Sequence, residues 1–142
     1  MTYRNCLFSI FIGLFCLLHS AFADQLAPES VDGAETIDTV TAKSLFDHGI
    51  PFIDVRGLEN FNAGHIPGAH HLPVKSDFTE KNLHAIVAQN DPVVIYCNGI
   101  HCMGSSIAAQ KAVDWGWSKV FYYREGIPAW KQHDHSIQTV SP

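Results

Sequence analysis

From residue 36 onward the apolar positions fall in short blocks whose spacing switches between a period of two and a period near 3.6, the pattern of alternating strands and helices. "TIDTV" (36–40) alternates apolar and polar residues and predicts an edge strand. "TAKSLFDHG" follows with Thr41 as N-cap, Leu45 and Phe46 on one face and Gly49 as a stop, which predicts a short helix. "PFIDV" (51–55) is a compact apolar strand ending in charge, and "LENFNAGHIPGAHHLP" supplies one helical turn around Glu59 to Ala63, a turn at Pro67-Gly68 and a short strand over 69–72. In "TEKNLHAIVAQN" (79–90), Leu83, Ile86 and Val87 sit at helical spacing behind Thr79, and the Asp91-Pro92 step ends the helix. "VVIY" (93–96) is uncharged, β-branched and aromatic, as a central parallel strand covered on both faces must be. "SSIAAQKAVDWG" (105–116) puts Ala108, Ala109, Ala112 and Val113 on one side, with Gly116 closing the helix. "KVFYY" (119–123) is a further strand, and "PAWKQHD" opens a terminal helix with Pro128 in its first turn.

Strands alternating with helices define an α/β fold: a mainly parallel central sheet with helices on both faces and right-handed crossovers. Ligands of such sheets bind beyond the carboxyl ends of the strands. Three segments reach that ground: Asp54 to Arg56, Gly64 to Gly68, and Cys97 to Ser105. Trp115, Trp117, Trp130 and the tyrosines Tyr96, Tyr122 and Tyr123 read first as packing.

The start of the chain changes the picture of where the domain begins. Residues 1–23 have a short polar start with Arg4, an apolar run from Leu7 to Leu18 and Ala21-Phe22-Ala23 before Asp24, the pattern of a cleaved secretory signal peptide. The apolar run is too short for a retained span, so no stable membrane anchor is expected, and the surroundings of Cys16 do not suit a lipoprotein. The expected location is the periplasm of a Gram-negative cell. Residues 24–35 form a loosely packed lead-in, and residues 36–142 form one domain with a modest core. Loss of Arg4 with the leader takes the net charge from −5 to −6. With no Lys/Arg cluster to offset it, that balance argues against nucleic acid as a partner.

Cleavage also removes Cys6 and Cys16, so all thiol chemistry rests on Cys97 and Cys102. Cys97 directly follows the buried strand, and a loop over 98–104 separates it from the helix that starts near Ser105. Gly99 and Gly104 let the loop turn backbone amides inward beside a helix N-terminus, an environment that favours a thiolate open to reactants. Cys97 is therefore a candidate nucleophile. A structural Cys97–Cys102 disulfide in an oxidising compartment is the plainer alternative. A zinc site on Cys97, His101 and Cys102 would need a distorted loop and lacks a second ligand cluster, so no metal is expected. The C-x4-C spacing fits neither a C-x-x-C redox motif nor a heme attachment, and no cofactor is expected.

With these elements in order, the sequence resembles the rhodanese-like family of single-domain sulfurtransferases over residues 36–132. Four stretches carry the resemblance: "FIDVRGLENFNAGHIPGA" (52–69), "VVIYC" (93–97), the alanine-rich helix ending in Gly116, and "YYREGIPAW" (122–130). A narrower likeness is to secreted members whose loop reads C-x-G-x-x-C-x-x-S, matched by Cys97, Gly99, Cys102 and Ser105. The resemblance implies a persulfide on Cys97 and a substrate loop formed by Asn98, Gly99, Ile100, His101, Met103, Gly104 and Ser105. It makes Asp54 and Arg56 a network ordering the loops near the cleft, although a local ion pair is an equally direct reading. His65 could approach the thiolate but is expected to be structural, and Arg124 is either a cation on a second rim of the site or a solvated surface charge.

The loop departs from the family's usual C-R-x-G-x-R-S: Asn98 stands where the first arginine would be, Gly104 immediately precedes the matching Ser105, and the loop is two residues longer. Losing both arginines weakens the case for thiosulfate and for the fold's phosphatase and arsenate-reductase activities. Cys102 is expected to resolve the adduct on Cys97, leaving a disulfide that a partner reduces. The expected function is periplasmic transfer of sulfane sulfur from a small donor to a thiol or protein acceptor, with a periplasmic reductant. The alternatives are a thiol–disulfide oxidoreductase using the same pair and a non-enzymatic binding domain.

Overall fold

The computed structural model describes residues 25–140, so the leader and its cleavage site lie outside the described residues. Strand and helix alternate as β1 (Ala34–Thr36), α1 (Thr39–Asp47), β2 (Phe52–Asp54), α2 (Leu58–Ala63), β3 (His70–His71), α3 (Glu80–His84), β4 (Val93–Tyr96), α4 (Gly104–Asp114), β5 (Val120–Tyr123) and α5 (Gly126–Gln132). The five strands form one sheet in the order β1-β5-β4-β2-β3, with every pairing parallel. β4 lies at its centre, with Ile95 opposite Ile53 on one side and Tyr122 on the other.

Alternating side chains along the strands separate two apolar layers. Ile53, Val93, Ile95 and Tyr122 pack with Leu83 of α3 and Ala108, Ala109 and Ala112 of α4. Phe52, Val94, Tyr96 and Tyr123 pack on the opposite face with Ala42 of α1 and Ile127 and Trp130 of α5. The alanine face of α4 lets that helix lie close to the sheet. Val93 to Ile95 have no exposed surface, and truncating Ile95 to alanine would remove about 2–5 kcal/mol of stability.

Three elements differ from their sequence-based expectations. The alternation at 36–40 is not a strand: β1 ends at Thr36, and Asp38 accepts a hydrogen bond from the Thr41 amide at 2.8 Å, capping a helix that begins at Thr39. Asp38, rather than Thr41, is the cap, and that contact holds its carboxyl below the usual aspartate range. α3 stops at His84 rather than running to residue 90, because the chain turns tightly there and the Ile86 and Val87 amides both reach the Leu83 carbonyl. The lead-in is not loose. Ala27 and Val31 are buried, the Ala27 amide donates to the Ile100 carbonyl at 2.7 Å, and Tyr122 Oη donates to the Pro28 carbonyl at 3.0 Å.

Candidate active site

The carboxyl ends of β2, β3 and β4 open onto one cleft of about 660 Å³. Cys97, one residue past β4, lies at its floor, and Cys102 closes over it in a disulfide with a Cα–Cα distance of 6.3 Å. Cys97 is 3 % exposed and packs in the apolar layer under α4, whereas Cys102 is partly exposed. The sulfur at position 97 is therefore not open to reactants as expected: in this disulfide form it is buried with the apolar side chains under α4.

Two contacts fix the floor. The Cys97 carbonyl accepts from the Ile127 amide at 3.1 Å, at the start of α5. Gly126 makes this approach feasible: its φ is +59°, and a β-carbon there would collide with the Cys97 carbonyl oxygen. On the other side α4 begins at Gly104, so the connecting loop is 98–103, one residue shorter than expected. A β-carbon on Gly104 would lie 3.2 Å from Cys97 Sγ and 3.4 Å from Cys102 Sγ, so the helix starts directly against both sulfurs. The N-cap, Met103, supplies no side-chain cap to the first-turn amides of this 11-residue helix. The inward ring of loop amides is less complete than expected, since the Cys102 amide donates to the Gly99 carbonyl at 2.9 Å.

Under the cleft, Asp54 and Arg56 form a buried pair, 0 % and 5 % exposed. Arg56 Nη2 donates to Asp54 Oδ2 at 2.6 Å and to the Gly64 carbonyl at 2.8 Å, and Nη1 reaches Asn98 Oδ1 at 3.3 Å. His71 Nε2 lies 2.8 Å from the Arg56 carbonyl. Tyr96 Oη donates to Asp54 Oδ2 at 2.7 Å and accepts from the Ile66 amide at 3.1 Å. Burial, followed by the Asp54 charge, pushes the Tyr96 phenol far above its ordinary range. Arg56 thus joins the end of β2, the turn before β3 and the first residue of the cysteine loop. Asp54 has its carboxylate engaged by this network and acts as its anchor.

The cleft brings together Asn98, His101, Cys102, Met103 and Gly104 from the loop with Arg56 from the β2 end. Gly99 and Ile100 face a separate groove toward α5, and Ser105 is buried with a hydroxyl that lacks a hydrogen-bond partner among the described residues. His65 does not join the cleft: it is 3 % exposed, stacks on Phe61 at 3.7 Å and places Nδ1 2.8 Å from the Phe61 carbonyl. Arg124 is a correction. It stands on no rim of this cleft, because its Nη2 and Nε donate to the Ala27 and Pro28 carbonyls at 2.8 and 3.1 Å and clamp the lead-in.

The cation missed by sequence reasoning is Lys75, an exposed residue of the β3–α3 connection that lines the cleft. Its signal was positional, since it follows the carboxyl end of a short strand. Asn60 of α2 lines the same wall. Among the described residues no carboxylate lines the cleft, although the chain as a whole is acidic. Among the described residues no three His, Cys, Asp or Glu side chains converge as metal ligands.

A parallel α/β sheet with a cysteine loop between its central strand and the next helix defines a class of thiol-bearing domain. Residues 38–133 match the Rhodanese-like domain family, and the chain belongs to it. It is 29% identical over 126 residues to an HTH-type transcriptional regulator of Mycobacterium tuberculosis, covering 83% of this chain and 54% of that protein, so it spans about half the length of that relative. The fold is shared with the human single-domain sulfurtransferase TSTD1, at 24% identity and a TM-score of 0.58 over 68% of this chain and 95% of that one. It is also shared with the polysulfide-sulfur transferase of Wolinella succinogenes, at 17% identity and a TM-score of 0.61 over 77% of this chain and 81% of the other.

Proposed function

We propose that the protein is a periplasmic sulfurtransferase that carries sulfane sulfur as a persulfide on Cys97, with Cys102 as the resolving thiol. The observation that carries this reading is the placement of Cys97 at the floor of a cleft, against the first residue of α4 and bonded to Cys102. The names of two proteins sharing the fold, a sulfurtransferase and a polysulfide-sulfur transferase, lend it support.

In the reduced protein the amino end of α4 favours Cys97 as thiolate. The thiolate attacks the sulfane sulfur of the donor. With thiosulfate the donor S–S bond breaks, sulfite leaves with the electron pair, and Cys97 holds the persulfide. An acceptor thiolate can then take the outer sulfur. Alternatively, Cys102 gives its proton to solvent and attacks Cys97 Sγ, the inner sulfur, so that sulfide leaves and the disulfide forms. The pair has then lost two electrons, which an external thiol reductant restores. Lys75, in a cleft that no carboxylate lines among the described residues, favours an anionic donor and supplies a positive charge where the loop arginines are missing; the Arg56 guanidinium is already paired with Asp54.

The disulfide itself favours a second reading, a thiol–disulfide oxidoreductase that never holds an extra sulfur. The partial match to a transcriptional regulator keeps a non-enzymatic binding domain as a third. Cyanolysis separates them. Reduced Cys102→Ser protein given thiosulfate or polysulfide, freed of excess donor and then treated with cyanide is expected to release thiocyanate, and the Cys97→Ala variant to release none. Disulfide cycling of the wild-type protein with no thiocyanate from the Cys102→Ser variant would move the account to the oxidoreductase; absence of both, with Cys97 alkylating sluggishly in the reduced protein, would leave the binding domain.

A further inference from the structure

We infer that the Cys97–Cys102 disulfide opens with a fixed polarity: an external thiolate attacks Cys102 Sγ, and Cys97 is the sulfur that leaves. This rests on the proposed redox cycle of the pair and names the point at which its reductant enters.

Displacement at a disulfide needs room for the incoming sulfur along the S–S axis, so access decides which sulfur is attacked. Cys97 lacks that room, being 3 % exposed among the side chains of the α4 layer, while Cys102 is partly exposed on the cleft wall. The two also differ in how they are held. Cys97 is fixed through its carbonyl to Ile127 and through its neighbour Asn98 to Arg56. The Cys102 amide bonds within the loop, to Gly99, and among the described residues no backbone hydrogen bond ties it to another element, although its side chain packs against the edge of the α4 layer.

The leaving side is favoured as well. Cys97 departs as a thiolate against the start of α4, where the helix dipole favours negative charge, and a stabilised thiolate is a faster leaving group. The approach of an anionic thiolate is favoured by the exposed Lys75, which lines the cleft, where among the described residues no carboxylate does.

The exchange balances. The reductant's sulfur forms a bond to Cys102 Sγ, the Cys97–Cys102 bond breaks, and Cys97 takes the electron pair. A second thiolate then attacks the reductant's sulfur in the mixed disulfide, Cys102 leaves as thiolate, and the oxidised reductant departs as a disulfide. The two cysteines thereby divide the cycle: Cys97 faces the sulfur donor and Cys102 the reductant. A partner joined at Cys102 leaves Cys97 free for the next donor.

The test uses the oxidised wild-type protein with reduced glutathione, followed by acid quenching at short times, maleimide labelling of the freed thiol and peptide mass mapping. Glutathione is expected on Cys102 and maleimide on Cys97, in excess of the reverse by about tenfold or more, as access-controlled exchange requires. Glutathione mainly on Cys97, equal labelling of both, or a disulfide that opens only after unfolding in urea would each overturn the inference. Its failure is distinct from failure of the proposed function: glutathione on Cys102 with no persulfide ever on Cys97 keeps the polarity and removes the sulfurtransferase, and the converse result does the opposite.

Discussion

Gly104 stands against both sulfurs of the site: a β-carbon at this position would lie 3.2 Å from Cys97 Sγ and 3.4 Å from Cys102 Sγ, with Val74 Cγ1 at 3.5 Å behind it. In the disulfide the two sulfurs are tied together and neither can retreat, whereas in the dithiol Cys102 is free to move.

The Gly104→Ala variant is therefore expected to favour the reduced form. Overpacking of about 1 kcal/mol felt mainly by the oxidised state raises the reduction potential by about 20 mV. Equilibration in glutathione redox buffers measures it, and an unchanged or lowered potential would show that the helix start does not press on the pair.

Asp54 accepts three side-chain contacts from Arg56 and a fourth from Tyr96 with no exposure to solvent. Asp54→Asn keeps the shape but leaves a guanidinium buried without its counter-charge, and is expected to cost about 3–5 kcal/mol in urea unfolding. Asn98→Ala removes one long bond at an exposed residue and should cost about 1 kcal/mol or less. Equal effects would mean that the network is not anchored at Asp54.

The fold and much of this network were legible in the sequence for physical reasons. β4 appears over 93–96 as expected, because a short, uncharged, β-branched and aromatic run suits a strand covered on both faces. The 36–40 segment misled because one strand residue, a cap and a helix start also alternate apolar and polar. Chain order placed Cys97, Arg56 and Asn98 near one another through the parallel-sheet rule. It did not place Lys75 or Arg124, whose long side chains are directed by the surfaces they meet. β5 lies beside the edge strand β1, so Arg124 meets the lead-in instead of the cleft.

That difference between the two cations is measurable. Lys75→Glu is expected to raise KM for thiosulfate by about three- to tenfold, an effect that shrinks with added salt. Arg124→Ala should leave that KM within about twofold, as a charge outside the cleft does little, while exposing residues 25–33 to faster proteolysis. The reverse pattern would put Arg124 back at the donor site.

Three buried tyrosines set an alkaline limit. Burial raises the phenols of Tyr96, Tyr122 and Tyr123, the last to about 12. Each folded phenol holds its proton more tightly than an unfolded one, so this stability is fully present below the unfolded value of about 10 and is lost as pH rises through the folded values. Urea midpoints should fall steadily above pH 10, with tyrosinate absorbance appearing together with unfolding. Tyrosinate appearing in a still-folded protein near pH 10 would contradict this.

The central claim is that Cys97 takes sulfur from a donor. The most direct measurement is intact-mass and peptide mapping of the reduced Cys102→Ser protein after exposure to thiosulfate or polysulfide. The account predicts the mass of one added sulfur atom, mapped to Cys97 and removed by cyanide. A folded protein with an alkylatable Cys97 that never gains that mass from either donor would contradict it.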